Sequence, residues 1–246
     1  MDGGMRVTFL GTGDAIGTPK IGCSCDHCIQ AWKEGKERLR TSLLIESGSH
    51  HLLIDTSPDL RRQLLHAGSP HIDAGIWTHG HYDHFMGYGD FYRVQKPPVM
   101  YGAPEVLEYC GEIFSFLLPE RIAAQPYQPF TLFDLEITLF PVTHPGAPTY
   151  GIRIESGDSV LVYSSDTRRE IPKKSIDCMR GADLLILDAM APAHLTISKH
   201  MNYTDALDLA DELKPNELRC VHLSHMVSWD QAYSAYDMET FDLPLR

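Results

Sequence analysis

Thr78-His79-Gly80-His81-Tyr82-Asp83-His84 is the stretch that decides how the rest of the chain is read. It packs three imidazoles and a carboxylate together, directly after the apolar run Ala74-Gly75-Ile76-Trp77. An apolar run ending in polar residues predicts a buried strand whose C-terminal end opens into a loop. His and Asp are ligands that Zn²⁺ accepts, and a loop on a rigid strand end can turn all of them inward. A solvated histidine-rich loop would need no further donors elsewhere. This chain has them.

The further donors stand at other predicted strand ends. His144 follows Ile137-Thr-Leu-Phe-Pro-Val142 and precedes Pro145-Gly146. Asp166 follows Val160-Leu-Val-Tyr163, and His222 lies within the apolar strand Arg219 to Leu223. Upstream, Asp55 closes His51-Leu-Leu-Ile54. Each alone is more often structural than functional. Together with the cluster at 79–84 they describe one site.

Around these positions the chain reads as alternating strands and helices. A strand is predicted over Arg6 to Leu10, then a hairpin of Leu43 to Glu46 with His51 to Asp55. A helix follows with Ser57 as N-cap and Pro58 at its first position, running to Ala67 and stopping at Gly68. Helix is predicted over Ala103 to Leu118, and a β region over Thr131 to Pro141. Tyr150 to Glu155 and Ser159 to Tyr163 form a second hairpin. A helix over Pro172 to Arg180, a strand over Leu184 to Asp188, and a helix over Thr204 to Leu213 precede the strand ending at Leu223. Hairpins interspersed with helices, and no linker, predict a single layered α/β domain over 1–246. Tyr88 to Arg121 is expected to cap the pocket.

Three of the six cysteines form Cys23-Ser-Cys25-Asp-His-Cys28, read as a loop. In a reducing compartment a tight thiol cluster more often holds metal than a disulfide. Three thiolates leave a tetrahedral Zn²⁺ one ligand short. His27 is within reach, while a distant residue would staple the loop to the core. Cys110, Cys178 and Cys220 are expected to be buried, inert thiols.

The 246 residues are 43% apolar and carry a formal charge of −12. No apolar stretch approaches the length of a membrane span. Strand-like sequence begins at once after Met1 to Met5, leaving no room for a signal peptide, so a cytoplasmic protein is expected. The charge argues against loose binding to nucleic acid. A homodimer is compatible with the sequence, which does not decide the oligomeric state.

His79-x-His81-x-Asp83-His84, followed by Gly87, resembles the signature of the metallo-β-lactamase superfamily. The resemblance implies an αββα sandwich, two mixed sheets flanked by helices, with a two-metal site at one edge. Carried across, His79, His81 and His144 would hold one ion and Asp83, His84 and His222 the other, with Asp166 bridging. Asp83 is thereby counted with the catalytic residues as well as the ligands. Asp55 would orient ligand histidines from behind. His and Asp suit both Zn²⁺ and Mn²⁺ in this pair.

An aspartate bridge, where antibiotic-cleaving members commonly have cysteine, resembles the phosphodiesterase, thioesterase and lactonase branches. His200, before the Thr204 helix, matches a non-ligand histidine of the phosphodiesterase branches and would protonate the leaving alkoxide. Leu10-Gly-Thr-Gly through Cys28 resembles the opening of PhnP-like phosphodiesterases, and related openings occur in PqqB proteins. In PhnP-like proteins the three thiolates share a structural zinc with a histidine three residues past the last active-site ligand, here His225. The tail Tyr236 to Glu239 resembles their closing strand, with a shortened segment before it. The expected reaction is hydrolysis of a small, cyclic sugar phosphate diester by a hydroxide shared between the two ions. The alternatives are a tRNA 3′-processing endoribonuclease, whose long protruding arm this chain lacks, a thioester or lactone hydrolase, and a non-catalytic, PqqB-like binder of a cofactor intermediate.

Overall fold

Alternation along single strands shows why two layers form. In Ser159–Tyr163, Leu161 and Tyr163 point into one apolar cluster while Val160 and Val162 point into another. A strand buried on both faces needs partners above and below, which the period of two supplies. The computed structural model describes residues 4–244.

The first half of the chain builds one sheet. Its elements are β1 (Gly4–Gly11), α1 (Asp26–Glu34), β2 (Ser42–Ser47), β3 (His50–Ile54), α2 (Leu60–His66) and β4 (Ala74–Ile76), then α3 (Tyr82–Phe85), β5 (Val99–Gly102), α4 (Pro104–Ile113) and β6 (Arg121–Ala123). The second half builds the other from β7 (Phe130–Leu132), β8 (Leu135–Val142), β9 (Thr149–Ser156) and β10 (Ser159–Tyr163). It continues through α5 (Lys173–Met179), β11 (Leu184–Asp188), α6 (Tyr203–Leu213) and β12 (Glu217–Val221). A last strand, β13 (Thr240–Pro244), returns to pair with β1. The sheet orders are β13-β1-β2-β3-β4-β5-β6 and β12-β11-β10-β9-β8-β7.

Both sheets are mixed. β3 through β6 run parallel, as do β10 through β12, while the remaining neighbours pair antiparallel. Val7, Phe9, Ile45 and Ile54 of the first sheet meet Ile137, Ile152, Ile154 and Ile186 of the second in one core. Met179 of α5 and Leu209 and Leu213 of α6 cover the second sheet's outer face over Val162, Leu185 and Leu187. The expected αββα sandwich is the observed fold. The carboxyl ends of β3, β4, β8, β10, β11 and β12 all fall at one edge of it, and the strand-end donors collect there. No helix among the described residues is long and apolar enough to cross a membrane.

Several local expectations are corrected. Ser57 is not an N-cap: the helix begins at Leu60, after Asp59. The Ser57 hydroxyl is spent on Gln63 Oε1 at 2.9 Å and on the Asp59 N–H at 3.1 Å. Gly87 packs so tightly on Ser57 that a Cβ there would fall 1.8 Å from its carbonyl oxygen. Asp59 in turn offers no cap, because its carboxylate accepts from the Arg40 guanidinium and backbone. The closing strand is β13 rather than 236–239, where Asp237 instead accepts from Thr12 Oγ1 and Leu39 N, both at 2.7 Å. The cysteine stretch is only partly loop, since α1 starts at Asp26 and Cys28 lies in its first turn. Within 88–121, β5 and β6 extend the first sheet, and α4 flanks the recess beside His81. Cys110 and Cys220 are buried as expected, but Cys178 is only half-buried.

Candidate functional site

The strand ends turn abruptly, and that aims the donors. Asp55, Ser165 and His222 each adopt the left-handed backbone, with φ of 61°, 55° and 58°. Non-glycine residues there cost about 1–3 kcal/mol each and tend to persist at functional sites. The turn after β3 puts the fully buried Asp55 carboxylate behind the histidine loop. Its Oδ1 accepts from Thr78 N at 2.8 Å, and its Oδ2 from Thr78 Oγ1 at 2.8 Å and His84 Nδ1 at 2.7 Å.

These bonds fix tautomers. With its proton given to Asp55, the Thr78 hydroxyl accepts from His79 Nδ1 at 2.9 Å. His144 Nδ1 donates to the Lys199 carbonyl at 3.1 Å. In all three imidazoles Nδ1 therefore carries a hydrogen, and in the neutral form Nε2 holds the lone pair that a metal ligand requires.

The bare atoms converge on Asp166. His79 Nε2 lies 3.6 Å from Asp166 Oδ2, His222 Nε2 3.3 Å from Oδ2, and His84 Nε2 3.4 Å from Oδ1. Asp83 Oδ2 stands 3.4 Å from both His84 Nε2 and His222 Nε2. His144 Nε2 and His81 Nδ1 are 3.0 Å apart. Most of these separations are too long for good hydrogen bonds. They match two ligands of one tetrahedral ion, which sit about 3.4 Å apart when each is about 2.1 Å from the metal. His79 Nε2, His84 Nε2, Asp166 Oδ1 and His222 Nδ1 are buried and lack any hydrogen-bond partner. Orphaned buried donor sets of this kind fit cations. Three overlapping groups of four form at this edge: His79, His81, His144 and Asp166; Asp83, His84, Asp166 and His222; and Asp166, Asp188, His200 and His222. Asp166 belongs to all three.

Electrostatics point the same way. Burial pushes the Asp83 and Asp166 carboxyls up, but the surrounding histidines outweigh it and hold both below the usual carboxylate range. Burial likewise disfavours charge on His84 and His222, and the acids outweigh it, raising His84 well above an ordinary imidazole and His222 to about 9. His79, His81 and His144 are pushed down, chiefly by burial. The acids thus recruit positive charge, and metal ions would displace the protons that otherwise supply it.

His200 lies at this edge as well. Its ring stacks on His222 with centroids 4.9 Å apart and lies 4.8 Å from His144. Its partner was missed in the sequence: His200 Nδ1 donates to Asp188 Oδ2 at 2.8 Å. Asp188 is fully buried and further held by Thr167 N at 3.0 Å and Met190 N at 3.1 Å. An acid closing the all-apolar run Leu184-Leu-Ile-Leu was the available signal, the same one that marks Asp55 and Asp166.

The cysteine cluster is assembled with His225, not His27. Cys23 Sγ and Cys25 Sγ lie 3.6 and 3.4 Å from His225 Nδ1, and Cys28 completes the group. All six cysteines are free thiols. Three sulfurs and a nitrogen at this spacing fit a closed tetrahedral zinc site. Arg38, which carries no signal in the sequence, holds the His225 side in place. Its buried guanidinium donates to the carbonyls of Ser224, Val227 and Ser228 at 3.2, 2.9 and 2.9 Å and stacks over Trp229 at 4.4 Å.

Asp55→Ala would release His84 and Thr78 together. Metal affinity should fall about 10- to 100-fold in a chelator competition, with the metal-free protein still folding cooperatively. Unchanged affinity would show that Asp55 supports only the backbone turn.

Residues 50–223 match a family model described as a beta-lactamase superfamily domain. The octanoyltransferase of Porphyromonas gingivalis (strain ATCC BAA-308 / W83) is 29% identical over 239 residues, 90% of this chain. The chain spans only 46% of that protein's length. Coenzyme PQQ synthesis protein B of Methylobacterium sp. (strain 4-46) is 28% identical over 225 residues, covering 75% of this chain and 72% of that one. Among solved structures, a diphosphatase from the PhnP family superposes with a TM-score of 0.86 at 28% identity, over 98% of both chains.

Proposed function

The chain belongs to the beta-lactamase superfamily, and on that premise we propose that it is a PhnP-like, metal-dependent phosphodiesterase acting on a small, cyclic sugar phosphate diester. One observation carries this: Asp166, an aspartate and not a thiol, is shared by two complete ligand groups beside a buried Asp188–His200 pair. His79, His81, His144 and Asp166 would hold one Zn²⁺ or Mn²⁺, and Asp83, His84, His222 and Asp166 the other. Bound there, the pair would neutralise charge on a phosphoryl group and lower the pKa of water.

The chain's own residues supply orientation and a proton. Asp188 fixes the His200 ring through Nδ1, which leaves Nε2 on the opposite side of the ring to deliver a proton. A departing alkoxide is a poor leaving group, and a proton delivered as the bond to phosphorus breaks makes it an alcohol. Asp55 and Thr78 keep His79 and His84 in the ligating tautomer throughout. The Cys23, Cys25, Cys28 and His225 group would hold one structural Zn²⁺ that fastens the loop before α1 to the loop after β12. A net charge of −12 supports a small diester over a polynucleotide. Six cysteines held as free thiols suit a reducing, cytoplasmic setting.

His200→Ala tests the assignment. On an unactivated cyclic sugar phosphate the variant should lose about 10²- to 10⁴-fold in kcat. On bis(p-nitrophenyl) phosphate, whose leaving group needs no proton, the loss should be about tenfold or less. Equal losses on both esters would remove the acid role. Turnover of a thioester or lactone with no diester activity would move the substrate class.

A further inference from the structure

One buried ligand imidazole stands apart from the others. The outer nitrogen, Nδ1, is satisfied in His79 by Thr78, in His84 by Asp55 and in His144 by the Lys199 carbonyl. His222 turns Nε2 toward Asp83 and Asp166, at 3.4 and 3.3 Å. Its Nδ1 is buried and has no partner among the described residues. A ligand imidazole needs an acceptor there to fix its tautomer and ring angle.

An acceptor without a donor lies in the adjoining loop. Asp14 is buried, and its Oδ1 accepts from Ile16 N at 3.1 Å and Gly17 N at 3.0 Å. Its Oδ2 is buried and has no partner among the described residues. Backbone pairing holds this carboxylate beside the His222 turn. Gly13 bridges to Leu223, the Asp14 N–H donates to the Leu223 carbonyl at 3.2 Å, and the Leu223 N–H donates to the Thr12 carbonyl at 2.8 Å. From the other side the Tyr82 hydroxyl donates to the Ala15 carbonyl. Burial pushes the Asp14 carboxyl up, and the positive charges that oppose it are His222 first and His225 after it.

Resting on the ligand assignment of the phosphodiesterase reading above, we propose that Asp14 is the positioning residue for His222. Its Oδ2 accepts from His222 Nδ1, directly or through one shared water, while Nε2 faces the ion. The acids behind the two ligand groups then divide unevenly. His84 rests on Asp55 and His222 on Asp14, both carboxylates, whereas His79 and His144 rest on a hydroxyl and a carbonyl. A carboxylate behind an imidazole makes it a more basic ligand. The Asp83, His84 and His222 group should therefore release its ion last when a chelator is added stepwise.

Asp14→Asn keeps an oxygen for the Ile16 and Gly17 N–H groups but turns an amide N–H toward His222. That donor favours a bare Nδ1 and a proton on Nε2, the wrong tautomer for ligation. Zinc-loaded protein labelled with ¹⁵N-histidine reports this directly. In the wild type the His222 Nδ1 proton should exchange slowly, and in the variant it should be lost. Chelator competition should show one catalytic-site ion weakened about 10- to 100-fold, with the other and the cysteine-bound ion unchanged. In a His144→Ala background, Asp14→Asn should weaken the more tightly held ion that remains. Ser165→Ala, which removes another unpartnered buried oxygen beside Asp166, should move neither readout.

An unchanged His222 signal with unchanged affinities in Asp14→Asn overturns the proposal, as does loss of that signal in Ser165→Ala. Weakening of all three ions together also overturns it, because Asp14 would then support the loop alone. A wild-type His222 with its proton on Nε2 overturns it without any variant. None of these readouts needs a substrate, so failure to hydrolyse any diester would overturn the phosphodiesterase reading and leave Asp14 to be decided by the metal and proton signals.

Discussion

Asp166→Asn should cost the protein its catalytic ions and about 10³-fold of its diester turnover, as expected when an electrostatic element acting on both ions is lost. The substitution keeps the shape and removes the one negative charge that faces His79, His84 and His222 together, at 3.6, 3.4 and 3.3 Å. His79, His81 and His144 fall in one proposed ligand group and Asp83, His84 and His222 in the other, while Asp166 belongs to both. Elemental analysis should therefore show both ions weakened at once, whereas His144→Ala should weaken one. The Cys23, Cys25, Cys28 and His225 group shares no residue with the Asp166 groups and should keep its ion, which provides an internal reference. An Asp166→Asn protein that retains both catalytic-site ions would refute the shared-ligand arrangement.

Cys25→Ser should abolish a chelator-resistant zinc and lower the melting temperature markedly. The Cys25–His225 contact joins positions 200 residues apart. A cross-link over a loop of that length removes about 5 kcal/mol of chain entropy from the unfolded state. For a chain of this size that corresponds to about 10 to 20 °C in Tm. The serine hydroxyl is a poor substitute for a thiolate toward zinc, so the ion should be lost rather than loosened. Since Arg38 independently grips Ser224, Val227 and Ser228, the variant should remain folded at room temperature and retain its catalytic-site ions. Unchanged metal stoichiometry, read beside the thermal melt, would dispose of the structural zinc.

Much of the site is visible along the chain because each donor closes an apolar strand. Ile76-Trp77 before His79, Val142 before His144 and Tyr163 before Asp166 all show it, and the sheet order brings those ends to one edge. Elements without a local signal are invisible. α1 begins at Asp26 after Cys25, which offers no side-chain cap, and all three residues of β6 are exposed. Both exist through what they pack against. Ser57-Pro58 carries a strong helix-start signal, yet the regular helix begins only at Leu60 and the Ser57 hydroxyl is engaged by Gln63 and Asp59.

By itself, the sequence determined the two-layer α/β class and the chemical identity of the donors, because apolar periodicity and ligand type are local properties. The resemblance already named His225 beside the cysteines, but only the tertiary structure decided that Asp188 holds His200, that Arg38 is buried, and that Tyr109 lies over Gly80. Each of those pairings is fixed by packing between distant segments. Sheet register and excluded volume choose among partners that are chemically equivalent in one dimension.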